Sequence, residues 1–150
     1  MIITMENYHK TLEELYIEGL FEDNFLEADP RSASSSFTLN LESCYNLLDA
    51  GMMKIIVARD EEGKPVGYLI YTIVPQDLFT MQTVASTMCV YIKPEYRGGM
   101  LFKEIIKFAE NTARLLGAVV FHVGLTPNSV NLERFGYHKD NIVFSKILEV

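Results

Sequence analysis

Apolar residues in the first part of the chain fall at Leu12, Leu15, Tyr16, Gly19 and Leu20. This is the i, i+3, i+4, i+7, i+8 spacing of one helix face. Thr11 and Glu14 have the spacing of a capping box at its start. From Asp29-Pro30 to Ser36 the pattern breaks into a loop rich in turn-forming residues. A second helix is predicted to begin near Asn40, bury Leu41, Cys44, Tyr45 and Leu48, and stop at Gly51. The five residues Met1 to Met5 fit a short edge strand. The period then changes to that of extended chain. Lys54 to Ala58 and Val66 to Val74 flank the charged turn Asp60-Glu61-Glu62-Gly63-Lys64, which predicts an antiparallel hairpin. A loop over Pro75 to Phe79 leads to a third long strand, Thr83 to Ile92.

After that strand comes Lys93-Pro94-Glu95-Tyr96-Arg97-Gly98-Gly99, then a helical pattern with Leu101, Ile105, Phe108, Ala109, Ala113 and Leu116 on the inner face. Lys103, Glu104, Lys107, Glu110 and Arg114 fall on the solvent side. Gly117 ends this helix, and Ala118 to Val123 reads as a short buried strand. A strand-helix-strand unit of this length implies a parallel, right-handed crossover within a mixed sheet. The start of a helix exposes unpaired N–H groups and the positive end of the helix dipole, which suits a phosphate. Two glycines before it let successive N–H groups point into one concavity. Arg97 and Lys103 add positive charge to either side. A strand-to-helix turn that binds nothing has the same two glycines, so the physics alone leaves both readings open.

The order of residues narrows the choice. Ile92-Lys93-Pro94-Glu95-Tyr96-Arg97-Gly98 resembles the lead-in to the acyl-CoA pyrophosphate loop of the GCN5-related N-acetyltransferases (GNAT family), whose signature is Arg/Gln-x-x-Gly-x-Gly/Ala. Met100 and Phe102 depart from it, since the family usually has glycines or small residues there. Gly99 supplies the freedom one position early, similar to phage-type members with an Arg-Gly-Gly start. Leu132-Glu133-Arg134-Phe135-Gly136-Tyr137 resembles the Tyr-Glu-Lys-x-Gly-Phe segment that closes the family's last short helix. Ile142 to Leu148 resembles its final strand, and the hairpin Ile55 to Val74 its paired strands before the cofactor strand. From Lys54 onward the chain is in register with this one family.

The resemblance implies a single α/β domain over residues 1–150, with a mixed, mostly antiparallel sheet flanked by helices. It implies an acetyl-CoA-dependent N-acetyltransferase that transfers an acetyl group to a primary amine of a small molecule or a protein by direct attack. Acetyl-CoA is then an acyl-donor co-substrate. Its pantetheine arm is expected along the backbone of Val90, Tyr91 and Ile92, and its pyrophosphate at Arg97, Gly98, Gly99, Met100, Leu101, Phe102 and Lys103. Asn128 is the nearest replacement for the family's asparagine expected near 125. The acidic residue often found on the cofactor strand is missing, because Thr87, Met88 and Cys89 occupy that stretch. His122 is the candidate base, with Asp77 as a second contact for an amine. The family's tyrosine acid falls on Leu132, which leaves Tyr91, Tyr137 or water to serve the leaving thiolate. Those departures keep a second class of function open: a catalytically degenerate binding or interaction module of the same fold. Family members often pair through sheet edges, so a homodimer is expected.

Composition trims the alternatives. The chain has 150 residues, enough for one domain that buries roughly 70% of its unfolded surface. A formal net charge of −7 argues against broad nucleic-acid binding, which needs clustered Lys and Arg. Cys44 and Cys89 lie in apolar runs as small core residues, with neither a disulfide framework nor metal spacing. With no signal peptide and no apolar run long enough for a membrane span, the chain is expected to be cytoplasmic.

Overall fold

A computed structural model describes residues 1–126, 130–140 and 142–148. Most of the expected elements form, and in the expected order. Strand β1 is Ile2–Met5, followed by helices α1 (His9–Ile17), α2 (Leu20–Ala28) and α3 (Leu41–Asp49). Strands β2 (Met53–Arg59), β3 (Pro65–Val74) and β4 (Thr83–Ile92) come next, then helix α4 (Leu101–Leu115) and strand β5 (Ala118–His122). Short 3₁₀ turns occupy Pro30–Ala33, Pro94–Tyr96 and Leu132–Phe135. The sheet order is β1-β2-β3-β4-β5; neighbours are antiparallel except β4 and β5, which run parallel. This is a mixed, mostly antiparallel sheet within one α/β unit.

Helices cover both faces, so the central strands are buried on both sides and read as near-continuous apolar runs. On one face Ile56, Ala58, Leu69, Tyr71, Ala85 and Ile92 pack against Leu101, Ile105, Ala109 and Ala113 of α4. On the other, Ile55, Val57, Tyr68, Ile70 and Tyr91 pack against Leu12, Leu15, Leu20, Phe21 and Leu48 from α1, α2 and α3. Period-2 alternation along each strand sorts its residues between the two cores. Gly67 in β3 is required by crowding: a Cβ there would lie 3.0 Å from the Tyr91 carbonyl oxygen and 3.1 Å from Ile92 Cγ1.

Several local expectations need correction. The first apolar stripe is two helices, because Gly19 adopts φ +80° and breaks the chain between α1 and α2. Thr11 and Glu14 do not cap α1. Its N-cap is Tyr8, which makes no side-chain cap. Thr11 is buried and its hydroxyl donates to Glu6, while Glu14 pairs with Arg59. Tertiary partners outcompete the local cap. Asn40 does cap α3, accepting from the Ser43 N–H at 3.1 Å. Leu116 is exposed beyond the end of α4. Residues 142–148 form no strand, and Ile142, Val143, Phe144, Ile147 and Leu148 are exposed. Their composition favours extended chain, but a strand also needs a ladder partner.

Arg59 fastens the start of the chain to the hairpin. Its Nη2 lies 2.9 Å from Glu6 Oε1 and 2.6 Å from Glu14 Oε2, and its Nη1 donates to the Gly63 carbonyl at 2.8 Å. Burial pushes the Glu6 carboxyl up, but bonds from Arg59, Thr4 and Thr11 outweigh it and hold Glu6 below its usual value. Among the described residues, no helix is long and apolar enough to cross a membrane.

Candidate active site: a gap between two parallel strands

β5 pairs with only the first part of β4. Their pairing runs from Thr83 opposite Ala118 to Ser86 opposite His122, and residues 87–92 of β4 have no partner on β5. One side-chain bond marks the fork, where Thr87 Oγ1 accepts from the Gly124 N–H at 2.9 Å. On its other side β4 carries a bulge. Ile70 pairs with Cys89 and Tyr71 with Thr87, so Met88 is the extra residue. A bulge bends the strand and strengthens its local twist.

Beyond the bulge, alternation decides what the free edge of β4 offers. Val66 accepts from the Lys93 N–H at 2.9 Å, so Lys93 and Tyr91 direct their backbone groups toward β3. Val90 and Ile92, the intervening residues, then direct theirs into the gap. Of the three residues expected to meet a pantetheine arm, Val90 presents both its N–H and its C=O, Ile92 presents its N–H, and Tyr91 gives its own groups to the ladder. The Ile92 carbonyl accepts from Arg97 Nε at 2.7 Å.

The loop at the end of β4 has the form expected of an anion cradle. Gly98 sits at φ +88°, a left-handed conformation that disfavours other residues. A Cβ at Gly98 or Gly99 would meet no atom within 4 Å, so the loop opens to free space. The first turn of α4 has no side-chain cap, and its leading N–H groups have no intrahelical acceptor. Large residues do not block it. Leu101 is buried, Phe102 packs against the α4-side core, and Met100 is exposed. These groups fit a pyrophosphate: several N–H donors, the positive helix end, and room.

The two flanking cations are already engaged. Lys103 Nζ lies 5.6 Å from the centre of the Phe135 ring, which joins the loop to the 3₁₀ turn at Leu132–Phe135. Arg97 turns to the α2 side of the sheet, with its guanidinium 5.4 Å from the centre of the Tyr91 ring and its Nη2 2.8 Å from Glu27 Oε2. Nothing local in the sequence pairs residues 27 and 97, so the partner was invisible there. The Thr87–Gly124 bond was hidden for the same reason.

The candidate proton-transfer groups separate clearly. His122 ends β5 opposite Ser86, at the fork, and is exposed. Phe121 and Val123 join the α4-side core, which places His122 on the opposite face, the one shared with α1–α3. Tyr91 is 5% exposed beneath the Arg97 guanidinium, and burial is the main cause of its raised pKa, with Asp23 adding to it. Tyr137, expected as an alternative acid, is instead committed to α4. Its hydroxyl donates to Glu110, and burial together with that carboxylate raises its pKa. Glu110 is thus a bonded partner and not a merely solvated residue. Asp77 is also spent: its carboxylate accepts from the Phe79 and Thr80 N–H groups at 3.1 and 3.2 Å and from the Thr80 hydroxyl at 3.1 Å. It is the cap of its own loop. Cys89 lies beside Tyr68, and burial pushes its thiol up to about 12, so it stays neutral. Asn128 lies outside the described residues.

Comparison with solved structures finds the same architecture repeatedly. A ribosomal-protein-alanine N-acetyltransferase from Brucella melitensis biovar Abortus 2308 matches with a TM-score of 0.71 at 14% identity, covering 99% of this chain and 100% of the other. Glucosamine-6-phosphate N-acetyltransferase from Arabidopsis thaliana matches at 0.69 and 16%, covering 99% and 100%. An aminoglycoside acetyltransferase from an uncultured soil metagenomic sample, in complex with sisomicin, matches at 0.69 and 15%, covering 98% and 97%. Identity this low establishes the fold alone. No curated protein sequence matched the chain. The family described as "Acetyltransferase (GNAT) family", however, matches residues 12–137, which include the forked strands, the glycine loop and the turn at Leu132–Phe135. The chain therefore belongs to the GNAT family of acetyltransferases.

Proposed function

We propose that the protein transfers an acetyl group from acetyl-CoA to a primary amine by direct attack, with the acyl donor held in the gap between β4 and β5. The observation that carries this reading is continuity. The β4–β5 ladder ends at Ser86 and His122, and the edge of β4 beyond it runs into an uncapped Gly98–Gly99 loop. Val90 and Ile92 offer backbone groups to a pantetheine arm, and the N–H groups from Gly98 to Phe102 offer a seat to a pyrophosphate. Both features suit a long ligand with a neutral amide-bearing arm and an anionic end.

Acetyl-CoA supplies a thioester whose carbonyl carbon the amine attacks; an N–C bond forms, the C–S bond breaks, and the sulfur leaves as thiolate. A protein contributes most to such a reaction by alignment. An amine of pKa about 10.4 must first lose a proton, which costs roughly 4–5 kcal/mol at pH 7. His122 is the residue we assign to that proton, directly or through one water, because it stands at the fork and is open to solvent. Of the two candidate acids, Tyr137 is committed to Glu110, and Tyr91 lies buried beneath the Arg97 guanidinium with its pKa raised. A thiolate of pKa about 8.5 is a tolerable leaving group, with water as its proton source. The acceptor belongs to the range named among the structural relatives, from an aminoglycoside or amino sugar to an alanine of a ribosomal protein. The homodimer and the cytoplasmic setting are part of the same proposal.

The test is a thermal shift. Acetyl-CoA at a hundred times its dissociation constant adds about 2.7 kcal/mol to stability. Gly98→Asp should abolish the shift, because it places a carboxylate in the cradle at a left-handed backbone position. Wild-type protein that shows no shift at millimolar acetyl-CoA overturns the reading.

A further inference from the structure

Arg97 is the first side chain of the glycine loop, yet its charge does not face the loop. Three contacts fix it elsewhere. Nε donates to the Ile92 carbonyl at 2.7 Å, Nη2 meets Glu27 Oε2 at 2.8 Å, and the guanidinium covers the Tyr91 ring at 5.4 Å. Tyr91 belongs to the core beneath α1–α3, whereas α4 rises from the loop on the opposite face of the sheet. The guanidinium therefore reaches from the α4 side to the α2 side at the end of β4.

From this geometry we infer that Glu27 is a positioning residue, acting through Arg97 to tie helix α2 to the cofactor loop. The inference rests on the acyl-CoA reading above. Residues 97–102 are the segment an acyl-CoA would order, and α2 packs on the face of the sheet that carries His122. Exposed ion pairs are weak alone, and both side chains here are about half exposed, at 40% and 50%. Arg97 differs from a free surface arginine because the Ile92 carbonyl and the Tyr91 ring already hold it in place. Little further side-chain entropy is lost in meeting Glu27. The geometry adds a direct tie between a short helix of nine residues and the glycine loop, beyond the packing of that helix on β4. When the loop is held by a ligand, the helix should be held with it. Coupling is reciprocal, so a ligand that orders α2 should in turn favour acyl-CoA.

Amide hydrogen exchange, read with and without acetyl-CoA, tests this on the full chain. In the wild type, saturating acetyl-CoA should slow exchange at residues 97–102 and also, about fivefold, at residues 20–28, the low end of typical coupling. In Glu27→Gln the protection at 97–102 should persist, while that at 20–28 disappears. Unchanged exchange in α1 and α3 will show that the variant is folded. Equal α2 protection in both proteins overturns the role of Glu27, as does a wild-type α2 that does not respond while 97–102 does. Absence of protection at 97–102 in the wild type overturns the acyl-CoA reading itself, and the coupling with it.

Discussion

Thr87 Oγ1 accepts the Gly124 N–H at 2.9 Å, one residue past Ser86 and two past His122, the last ladder pair of β4 and β5. A side chain here takes the place of a backbone carbonyl and fixes where the strands fork. On the function proposed above, the fork would set how deep an acyl-CoA arm slides toward His122.

Thr87→Val removes that acceptor while keeping the shape of the side chain. We expect faster amide exchange at Gly124 and a loss of acetyl-CoA affinity of about threefold to tenfold, in line with about 1 kcal/mol for one hydrogen bond. Thr87→Ser should restore both. Calorimetric titration of the three proteins checks this, and equal affinities would detach the bond from ligand binding.

His122→Gln should lower turnover about a hundredfold to ten-thousandfold, roughly 3–5 kcal/mol of barrier, and leave acetyl-CoA affinity unchanged. Release of free thiol, followed in the presence of a panel of amines, measures the first; titration measures the second. Equal turnover per folded molecule would leave proton transfer to water.

The Arg59 cluster governs acid stability. Glu6 is held below its usual value, so its contribution is present above the unfolded-state value near 4.5 and is lost as pH falls through the lower folded-state value. Denaturant titrations should show wild type losing more stability than Glu6→Gln between neutral pH and pH about 3. Arg59→Ala should cost about 2 kcal/mol at pH 7, less than a fully buried pair because the cluster is partly hydrated.

Among the described residues β5 ends the sheet, with its own Val119 and Val120 exposed, and Val143 and Phe144 are exposed within residues 142–148. An unpaired edge and an uncovered apolar segment favour pairing with a second copy. Sedimentation velocity at tens of micromolar should show a dimer, and Phe144→Lys should shift it toward monomer. A wild type that stays monomeric rejects the assembly.

The sequence by itself determined the elements and the loop. Apolar runs of period 2 placed β4 at Thr83–Ile92, glycine chemistry placed the turn at 98–99, and the 3.6-residue period placed α4 after it. These are local properties, legible because backbone conformation and face burial repeat along the chain. The family resemblance, which rested on the same loop, led correctly to the GNAT family. What each polar side chain does was decided only by tertiary structure. Thr11, Asp77, Arg97 and Tyr137 are bound to Glu6, to their own loop, to Glu27 and to Glu110. Three of those four partners are set by the fold, and Glu27 stands seventy positions from Arg97. A strand also needs a neighbour, which is why residues 142–148 carry the composition of one and do not form one. Long-range hydrogen bonds and ion pairs depend on distances that close only when the chain folds, and no spacing in sequence encodes them.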